Sequence, residues 1–203
     1  MHIEEKKILI TGSSGFIGTN LTNELKNRKF KTIFLANSST NKDLLTQYVL
    51  NCDFIFFLHG CMRTKNDDDF FNINYKYIKD ILDIIVLNNK KIPIMYASSK
   101  QVLLDTYYAK SKLNAENAII EYGIENKSPV YIYRFTNIFG KFARPNVHSV
   151  VATFCFNIQN NIDIKINDPN AVVTFLYIDD VIVELVNLLY GGGWRNQIVK
   201  SHK

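Results

Sequence analysis

The stretch Lys7-Ile8-Leu9-Ile10-Thr11-Gly12-Ser13-Ser14-Gly15-Phe16-Ile17-Gly18 determines the fold of this 203-residue chain. Its first part is a short apolar run that ends at a glycine, which is typical of a buried parallel strand. The residues after the glycines predict a helix over Phe16–Asn27. A strand, a glycine-rich turn and a helix in this order are the context that a dinucleotide-binding site requires.

Each glycine of the turn has a separate physical role in such a site. Gly12 permits the tight turn, Gly15 permits close approach of the backbone to a pyrophosphate, and Gly18 permits helix and strand to pack closely. The start of the helix then offers free N–H groups to the phosphates. The alternative is a glycine-rich turn that binds no ligand. The cofactor-binding residues expected here are Gly12, Ser14, Gly15, Phe16 and Ile17.

The end of the second predicted strand bears on which nicotinamide cofactor is used. An acidic residue at this place would bind the adenosine ribose hydroxyls of NAD, but the chain has Asn37. Without a carboxylate to repel a 2′-phosphate, NADPH is favoured over NAD. The preference is expected to be modest, because no arginine is present there to clamp the phosphate.

The third predicted strand ends in Leu58-His59-Gly60, where the chain is expected to pass close to the cofactor. His59 has two interpretations, a catalytic base or a structural hydrogen-bonding residue, and the second is favoured for a lone histidine beside a strand end. The triplet Asp67-Asp68-Asp69 also has two interpretations. Consecutive side chains diverge, so negative charge at a helix N-terminus explains it better than a metal site.

The segment 107–122 predicts a helix with Tyr108 and Lys112 four residues apart, hence on one face. A nearby ammonium is expected to lower the pKa of the phenol, so the pair predicts acid–base chemistry. The pair Ser98-Ser99 follows the fourth predicted strand, and a hydroxyl there is placed to bind the same substrate oxygen.

The Tyr–Lys spacing alone is a weak signal, because Tyr75…Lys79 and Tyr96…Lys100 share it. Tyr96 lies in a predicted strand, where this spacing separates the two side chains. No serine pair leads into Tyr75. For any such pair, the alternative is a solvated lysine beside a surface tyrosine.

Predicted strands and helices alternate along most of the chain, which predicts an α/β fold with a Rossmann-like, doubly wound parallel sheet. The expected strands are residues 7–11, 31–36, 53–58, 91–97 and 130–135, and the expected helices are 16–27, 70–87 and 107–122. A small C-terminal substrate lobe is expected to follow, with a helix over 146–157, strands over 164–166 and 172–178, and a last helix to Leu189. This lobe is expected to be truncated. Residues 1–190 are therefore interpreted as the dinucleotide-binding domain with part of the sugar-binding lobe, and residues 191–203 as an irregular tail.

The composition narrows the classes of partner. The net charge is +5 and the pI about 9.0, but the basic residues are dispersed, which favours a small anionic ligand over nucleic acid. The three cysteines show no paired spacing, and no signal peptide is recognisable, so a reduced, cytoplasmic protein is expected. No apolar run is long enough to suggest a membrane span, and the four scattered histidines predict no metal site.

With these residues placed, the chain resembles the extended short-chain dehydrogenase/reductase (NAD-dependent epimerase/dehydratase) family of nucleotide-sugar enzymes. Thr11 to Gly18 is similar to the family's cofactor fingerprint, Tyr108…Lys112 to its catalytic pair, and residues 175–181 to the motif before its late helix. A narrower resemblance, to the family's reductases of UDP-2-acetamido-2,6-dideoxy-hexuloses in capsule-sugar synthesis, is carried by residues 131–134, 137–141, 145–146, 149–156 and 167–168.

The resemblance implies an NADPH-dependent reduction of the 4-keto group of such a UDP-sugar. It implies that Tyr108 protonates the forming alkoxide, Ser99 hydrogen-bonds the ketone, Lys112 binds the nicotinamide ribose, and Asn74 supports the lysine. The residues it suggests for the substrate or its diphosphate are Arg63, Arg134, Asn137 and Arg144. It also implies a homodimer formed through the helices over 70–87 and 107–122.

Two alternatives remain open. One is a nucleotide-sugar 4-epimerase or dehydratase, although a dehydratase is expected to have acidic residues where Lys100-Gln101 follow Ser99. The other, from a different functional class, is a dinucleotide-binding module without turnover. It predicts cofactor binding but no oxidation of NADPH by a UDP-4-keto sugar.

Overall fold

A parallel β-sheet with helices on both faces forms the centre of the molecule. The computed structural model describes residues 2–166 and 168–192, together with the backbone of 199–201. In this part of the chain the strands of the sheet are β1 Lys7–Thr11, β2 Thr32–Ala36, β3 Phe54–Phe57, β4 Ile94–Ser99, β5 Val130–Phe135 and β8 Val199–Ser201, in the order β2-β1-β3-β4-β5-β8. The helices are α1 Phe16–Asn27, α2 Lys42–Asn51, α3 Asp67–Phe71, α4 Tyr77–Leu87, α5 Tyr107–Glu125, α6 Val150–Gln159 and α7 Ile178–Leu189.

The two faces of the sheet are covered separately, as a doubly wound fold requires. Alternate residues of β1 point to opposite faces: Ile8 and Ile10 pack with α1 and α7, whereas Leu9 packs with α2, α4 and α5. All three side chains are fully buried. Each such side chain contributes about 1.5–3 kcal/mol to folding, so both layers stabilise the strand that leads into the glycine turn.

The strands and helices predicted between residues 7 and 135 are all formed, with bounds that shift by up to three residues and two larger differences. The predicted helix over 70–87 is interrupted by a π-helical turn, Asn72–Lys76, between α3 and α4. Helix α2 was not predicted; it begins where the side chain of Asn41 accepts a hydrogen bond from the backbone N–H of Leu44, over 2.8 Å. Such a cap satisfies one of the free amides of a helix start.

The C-terminal lobe differs more from the prediction. Strands β6 Asn137–Phe139 and β7 Phe175–Tyr177 form a short parallel pair, of which β6 was not predicted. Helix α6 begins at Val150 and not at Asn146, because Asn146 has a left-handed φ of +60°. The expected strand over 164–166 is wrong, since these residues pair with no other strand in the described structure.

The expectation of an irregular tail over 191–203 is also wrong for Val199–Ser201. These residues pair in parallel with β5, with Ile132 opposite Val199. The physical reason is that the outer edge of β5 offers unpaired backbone groups that a further strand can satisfy. Residues 193–198 and 202–203, which the expected tail includes, lie outside the described residues, as does Asn167 of the quoted resemblance. None of the described helices is both long enough and apolar enough to cross a membrane.

Candidate active site

The glycine turn and the carboxyl end of β3 are in direct contact. Gly12 has a φ of +69°, and a Cβ built on it would lie 2.6 Å from the backbone nitrogen of His59. A Cβ on Gly18 would lie 2.2 Å from the carbonyl oxygen of Gly12. Both positions therefore accept only glycine without a backbone shift, and α1 packs closely against the turn.

The N-terminus of α1 is open to a ligand. Gly15 is its N-cap residue, so no N-cap side chain accepts a hydrogen bond from the first amides of the helix. The Ser13 N–H and hydroxyl both donate to the carbonyl oxygen of Ala36, over 3.1 and 3.2 Å, which ties the turn to the end of β2. Ser14 is exposed, Ile17 is half-buried and Phe16 is buried. This glycine-lined cradle with unused N–H groups fits the diphosphate of a dinucleotide.

Asn37 closes the end of β2. Its side-chain oxygen accepts hydrogen bonds from the N–H and the hydroxyl of Ser39, over 2.9 and 2.6 Å. Its own N–H donates to the Thr40 hydroxyl over 3.0 Å. The turn is thus held by neutral groups, with no carboxylate on Asn37 to oppose a phosphate.

His59 is built into the turn region and is not free to act as a base. Its Nδ1 lies 2.9 Å from the Thr11 hydroxyl, and its ring packs edge-on to Tyr77 with the centroids 4.5 Å apart. Burial, and then the charge of Lys112, lower the pKa of His59 to about 3. The neutral, hydrogen-bonded ring favours the structural interpretation of His59 over the catalytic one. Leu58 and Gly60 flank it, half-buried and exposed.

Lys112 points from α5 to the carboxyl end of β4. Its Nζ donates to the carbonyl oxygen of Ala97 over 2.9 Å and lies 4.6 Å from the centroid of the Tyr96 ring. Burial lowers the pKa of Lys112 to about 8, against a smaller opposing effect of the Glu116 charge. The lysine is therefore held in a poorly hydrated position where its charge is costly.

Tyr108 lies on the same face of α5, and it is 8% exposed. Burial raises its pKa, the hydrogen bond with the Ser99 side chain lowers it, and Cys61 raises it. The expectation that Lys112 lowers the pKa of Tyr108 is therefore wrong in this structure. The ammonium is directed to Ala97 and the Tyr96 ring, so desolvation of the phenolate outweighs any attraction.

Asn74 joins α5 to the loop after β3. Its side-chain nitrogen donates to the Ser111 hydroxyl and to the carbonyl oxygen of Cys61, each over 3.0 Å, and its oxygen accepts from the Cys61 N–H over 2.8 Å. A Cβ on Gly60 would lie 3.3 Å from Lys112 Nζ and 3.5 Å from the Asn74 oxygen. The π-helical turn, which contains Asn74, thus brings it beside the lysine, as π-turns often do at functional sites.

Two of the expected substrate residues meet at one loop. The Arg63 guanidinium donates to the carbonyl oxygen of Asn146 over 3.3 Å. The backbone N–H of Arg144 donates to Nδ1 of His148 over 3.0 Å. The His148 ring stacks on Phe16, with the centroids 5.6 Å apart. This contact places the loop beside the N-terminus of α1.

The other two expected substrate residues have different surroundings. The Asn137 side chain is exposed and donates to the carbonyl oxygen of Thr174 over 3.3 Å. The Arg134 guanidinium instead pairs with Glu116, a buried residue that the sequence analysis did not single out. Its position one helical turn beyond Lys112 was the signal that could have identified it.

In the described segments, no three histidine, cysteine or acidic residues lie together as a metal site.

Comparisons with known proteins agree with this geometry. A sequence model of the NAD dependent epimerase/dehydratase family, whose members bind NAD(P), matches residues 8–190. The chain is 36% identical over 185 residues to the UDP-2-acetamido-2,6-beta-L-arabino-hexul-4-ose reductase of Pseudomonas aeruginosa, covering 91% of this chain and 50% of the relative. The capsular polysaccharide assembling protein CapF from Staphylococcus aureus has a similar structure, with a TM-score of 0.81, 36% identity, and coverage of 95% of this chain and 51% of CapF.

The chain thus spans about half the length of these two relatives. The fold alone is shared with the UDP-glucuronic acid 4-epimerase from Bacillus cereus, solved in complex with NAD, at 19% identity and a TM-score of 0.79, over 91% of this chain and 72% of the epimerase. The resemblance to nucleotide-sugar enzymes is confirmed by the family match. The chain belongs to the NAD dependent epimerase/dehydratase family.

Proposed function

We propose that the chain reduces the 4-keto group of a UDP-linked 2-acetamido-2,6-dideoxy-hexulose with NADPH. One observation carries the proposal: a buried phenol, Tyr108, interacts with Ser99 and has a raised pKa. A phenol that keeps its proton is the acid that reduction of a ketone requires. The related Pseudomonas reductase supports the choice of a UDP-4-keto sugar.

The chain's own residues divide the work in the following way. Tyr108 donates its proton to the substrate oxygen as negative charge develops there, and the Ser99 hydroxyl hydrogen-bonds the same oxygen. Lys112 would bind the nicotinamide ribose hydroxyls through its ammonium, and Asn74 holds the loop that faces the lysine. The cofactor, when bound, supplies the hydride.

The glycine cradle would hold the cofactor diphosphate through the backbone of Gly12, Ser14, Gly15, Phe16 and Ile17. Leu58, His59 and Gly60 would line its nicotinamide half. Asn37 lies where the adenosine ribose would bind, and its neutral side chain supports NADPH over NADH. An Asn37→Asp variant tests this preference, because its carboxylate should weaken NADPH binding more than NADH binding in a fluorescence titration.

The exposed Arg63 and Arg144 are proposed to bind the substrate diphosphate, and the exposed Asn137 is proposed to contact the substrate. Arginine suits this role because its planar, always charged guanidinium binds phosphate oxygens through two hydrogen bonds. Arg134 is withdrawn from this group, since its guanidinium already donates to Glu116 through Nε and Nη2.

Reduction is favoured over 4-epimerisation by the same phenol. An epimerase that begins by oxidising the sugar needs a tyrosine that accepts a proton, whereas burial here disfavours the phenolate. Dinucleotide binding without turnover is the outcome that the following experiment separates from reduction.

The test is oxidation of NADPH in the presence of the UDP-4-keto sugar. We expect turnover by the wild type, a fall of about 100-fold or more in Tyr108→Phe, and little change in Tyr107→Phe. Tyr107 is a matched control because it is the adjacent residue and is 61% exposed. NADPH binding without oxidation by the wild type would contradict the reductase proposal, as would full activity of Tyr108→Phe.

We also propose that the chain acts in the cytoplasm. The reducing conditions there suit its described cysteines, which are all free.

We propose in addition that the chain forms a homodimer. The outer face of α3, the π-helical turn, α4 and α5 forms a shallow groove, and it is lined by Phe71, Tyr75, Lys79, Asn114, Asn117, Ala118 and Glu121. Phe71 is 45% exposed on this face. Sedimentation analysis showing a monomer at all working concentrations would contradict the dimer.

A further inference from the structure

The carboxylate of Glu116 is buried in the centre of a charged network. Glu116 is 1% exposed. Both of its oxygens accept hydrogen bonds from Arg134 Nε, over 3.0 and 3.2 Å, and one also accepts from Arg134 Nη2. The hydroxyl of Ser98 donates to the other oxygen. Both oxygens of this carboxylate thus accept hydrogen bonds from side chains of the sheet.

The network connects three elements at the catalytic edge of the sheet. Glu116 belongs to α5, Ser98 to β4 and Arg134 to β5. Ser98 and Arg134 are direct partners across the β4–β5 ladder. One carboxylate therefore binds a cross-strand pair and fixes both the rotation and the height of α5 above these two strands.

The catalytic residues lie immediately beside the groups in this network. Tyr108, Lys112 and Glu116 follow one another at intervals of one helical turn and are all buried. Ser98 directly precedes Ser99, whose side chain interacts with Tyr108. A change in how α5 lies on β4 would alter the distances among Tyr108, Lys112 and Ser99 together.

A buried ion pair is poor at adding stability, because the desolvation of both charges offsets most of their attraction. Apolar residues of similar volume could fill the same space at least as favourably. The network instead holds α5 in one position on β4 and β5. It also keeps a negative charge one helical turn after Lys112.

We propose that Glu116 is a positioning residue for the reductase reaction, and that it acts by holding α5 in register on Ser98 and Arg134. The inference rests on the function proposed above. It assigns Arg134 to this network and not to the substrate.

The charge of Glu116 also acts on Lys112 directly. The groups that face Lys112 are Tyr108 and Glu116 on its own helix, the Tyr96 ring on β4, and His59 after β3. Of these, Glu116 raises the pKa of Lys112, against the burial that lowers it. Loss of the Glu116 charge should therefore make Lys112 release its proton at lower pH.

The first experiment measures this titration without requiring turnover. The side-chain resonances of labelled lysines are followed against pH by NMR in the wild type, Glu116→Gln and Glu125→Gln, with Lys112→Met used to assign the signal. Glu125 is an exposed glutamate of the same helix and is the matched control. We expect the Lys112 pKa to fall in Glu116→Gln, because the cause that raises it is removed, and to stay unchanged in Glu125→Gln. An unchanged Lys112 titration in a folded Glu116→Gln variant would overturn the proposal.

The second experiment separates positioning from stability. We expect kcat to fall by about 10- to 100-fold in Glu116→Gln, with a smaller change in KM, and to recover in part in Glu116→Asp, which restores the charge. A lower melting temperature with unchanged kcat in the folded enzyme would show a merely structural role and overturn the proposal.

Ser98→Ala keeps the experiment decisive if Glu116→Gln does not fold, because it removes only one hydrogen bond to the carboxylate. We expect a smaller loss of kcat in the same direction, and a Ser98→Ala enzyme with unchanged kcat would count against the network. If even the wild type fails to oxidise NADPH, the proposed function fails. The Lys112 titration then still decides whether Glu116 controls the lysine.

Discussion

The ammonium of Lys112 donates a hydrogen bond to the carbonyl oxygen of Ala97 over 2.9 Å, which joins α5 to the end of β4. Ala97 immediately precedes the serine pair, so the contact fixes the lysine at the edge where the glycine turn also lies. The lysine is 5% exposed. A charge in such a position reduces stability and is retained where function requires it.

Replacing Lys112 with methionine should therefore stabilise the protein near neutral pH. The pKa of Lys112 is lowered from 10.5 to about 8, so its buried charge costs stability at every pH below about 8. After allowance for the lost hydrogen bond to Ala97, we expect a gain of about 2 kcal/mol in the free energy of unfolding at pH 7. Chemical denaturation of both proteins at pH 7 measures the difference.

The pH dependence of that gain provides its control. Between pH 8 and 10.5 the unfolded chain still holds a proton that the folded lysine has released, so the wild type regains stability as pH rises. The advantage of Lys112→Met should shrink across this window. A constant difference from pH 7 to 10 would show that the buried charge is not its cause.

The pH profile of NADPH oxidation should reflect Lys112 and not Tyr108. Burial raises the pKa of Tyr108, so the phenol keeps its proton throughout the range in which Lys112 loses its charge. We expect kcat/KM to decline above a pH of about 8. Initial rates over a pH series measure this decline of kcat/KM. A flat profile up to the ordinary tyrosine range would exclude Lys112 as the group responsible.

Much of the fold could be predicted from the sequence because local patterns and tertiary packing agree there. The bounds of β1, α1 and β5 match the prediction, since each is a continuous apolar or amphipathic segment with a clear end signal. The glycine turn was also predictable, because only glycine fits where the backbones of Gly12 and His59 nearly touch.

The remaining features depend on contacts between distant parts of the chain. The π-helical turn of Asn74 is tied to Cys61 and Ser111, which no local pattern reveals. The partner of Arg134 lies 18 residues earlier, on another element. The direction in which the Tyr108 pKa shifts depends on burial, which the Tyr–Lys spacing does not indicate. The spacing predicted that Tyr108 and Lys112 lie on one face of a helix, but it did not predict the electrostatic balance between them.

Alanine substitutions should show that two glycines of the turn have different roles, Gly18 in stability and Gly15 in cofactor binding. A Cβ on Gly18 would meet backbone atoms at 2.2 and 2.8 Å, which cannot move without displacing the turn. We expect Gly18→Ala to lose about 3 kcal/mol of stability, despite the higher helix propensity of alanine. Thermal unfolding measures this effect.

Gly15→Ala is the matched comparison for Gly18→Ala. A Cβ on Gly15 would meet only the Gly12 carbonyl oxygen, at 3.1 Å, so its effect on stability should be small. It would nevertheless lie in the cradle proposed for the cofactor diphosphate and should weaken NADPH binding. Equal binding of NADPH by Gly15→Ala and wild type would place the diphosphate elsewhere.

His59 should make the fold sensitive to acid. Its pKa is lowered from 6.5 to about 3 by burial and by Lys112, so the folded ring resists a proton that the unfolded chain accepts below pH 6.5. Stability should therefore fall as pH drops from 6.5 towards 3, by up to about 1.4 kcal/mol per pH unit from this group. The His59→Asn variant removes the titration while its amide can still bond Thr11, so its stability should fall less steeply with acid. Denaturation at several pH values gives the two slopes, with the exposed His2 replaced by alanine as the control. Parallel slopes for wild type and His59→Asn would mean that another group controls the acid sensitivity.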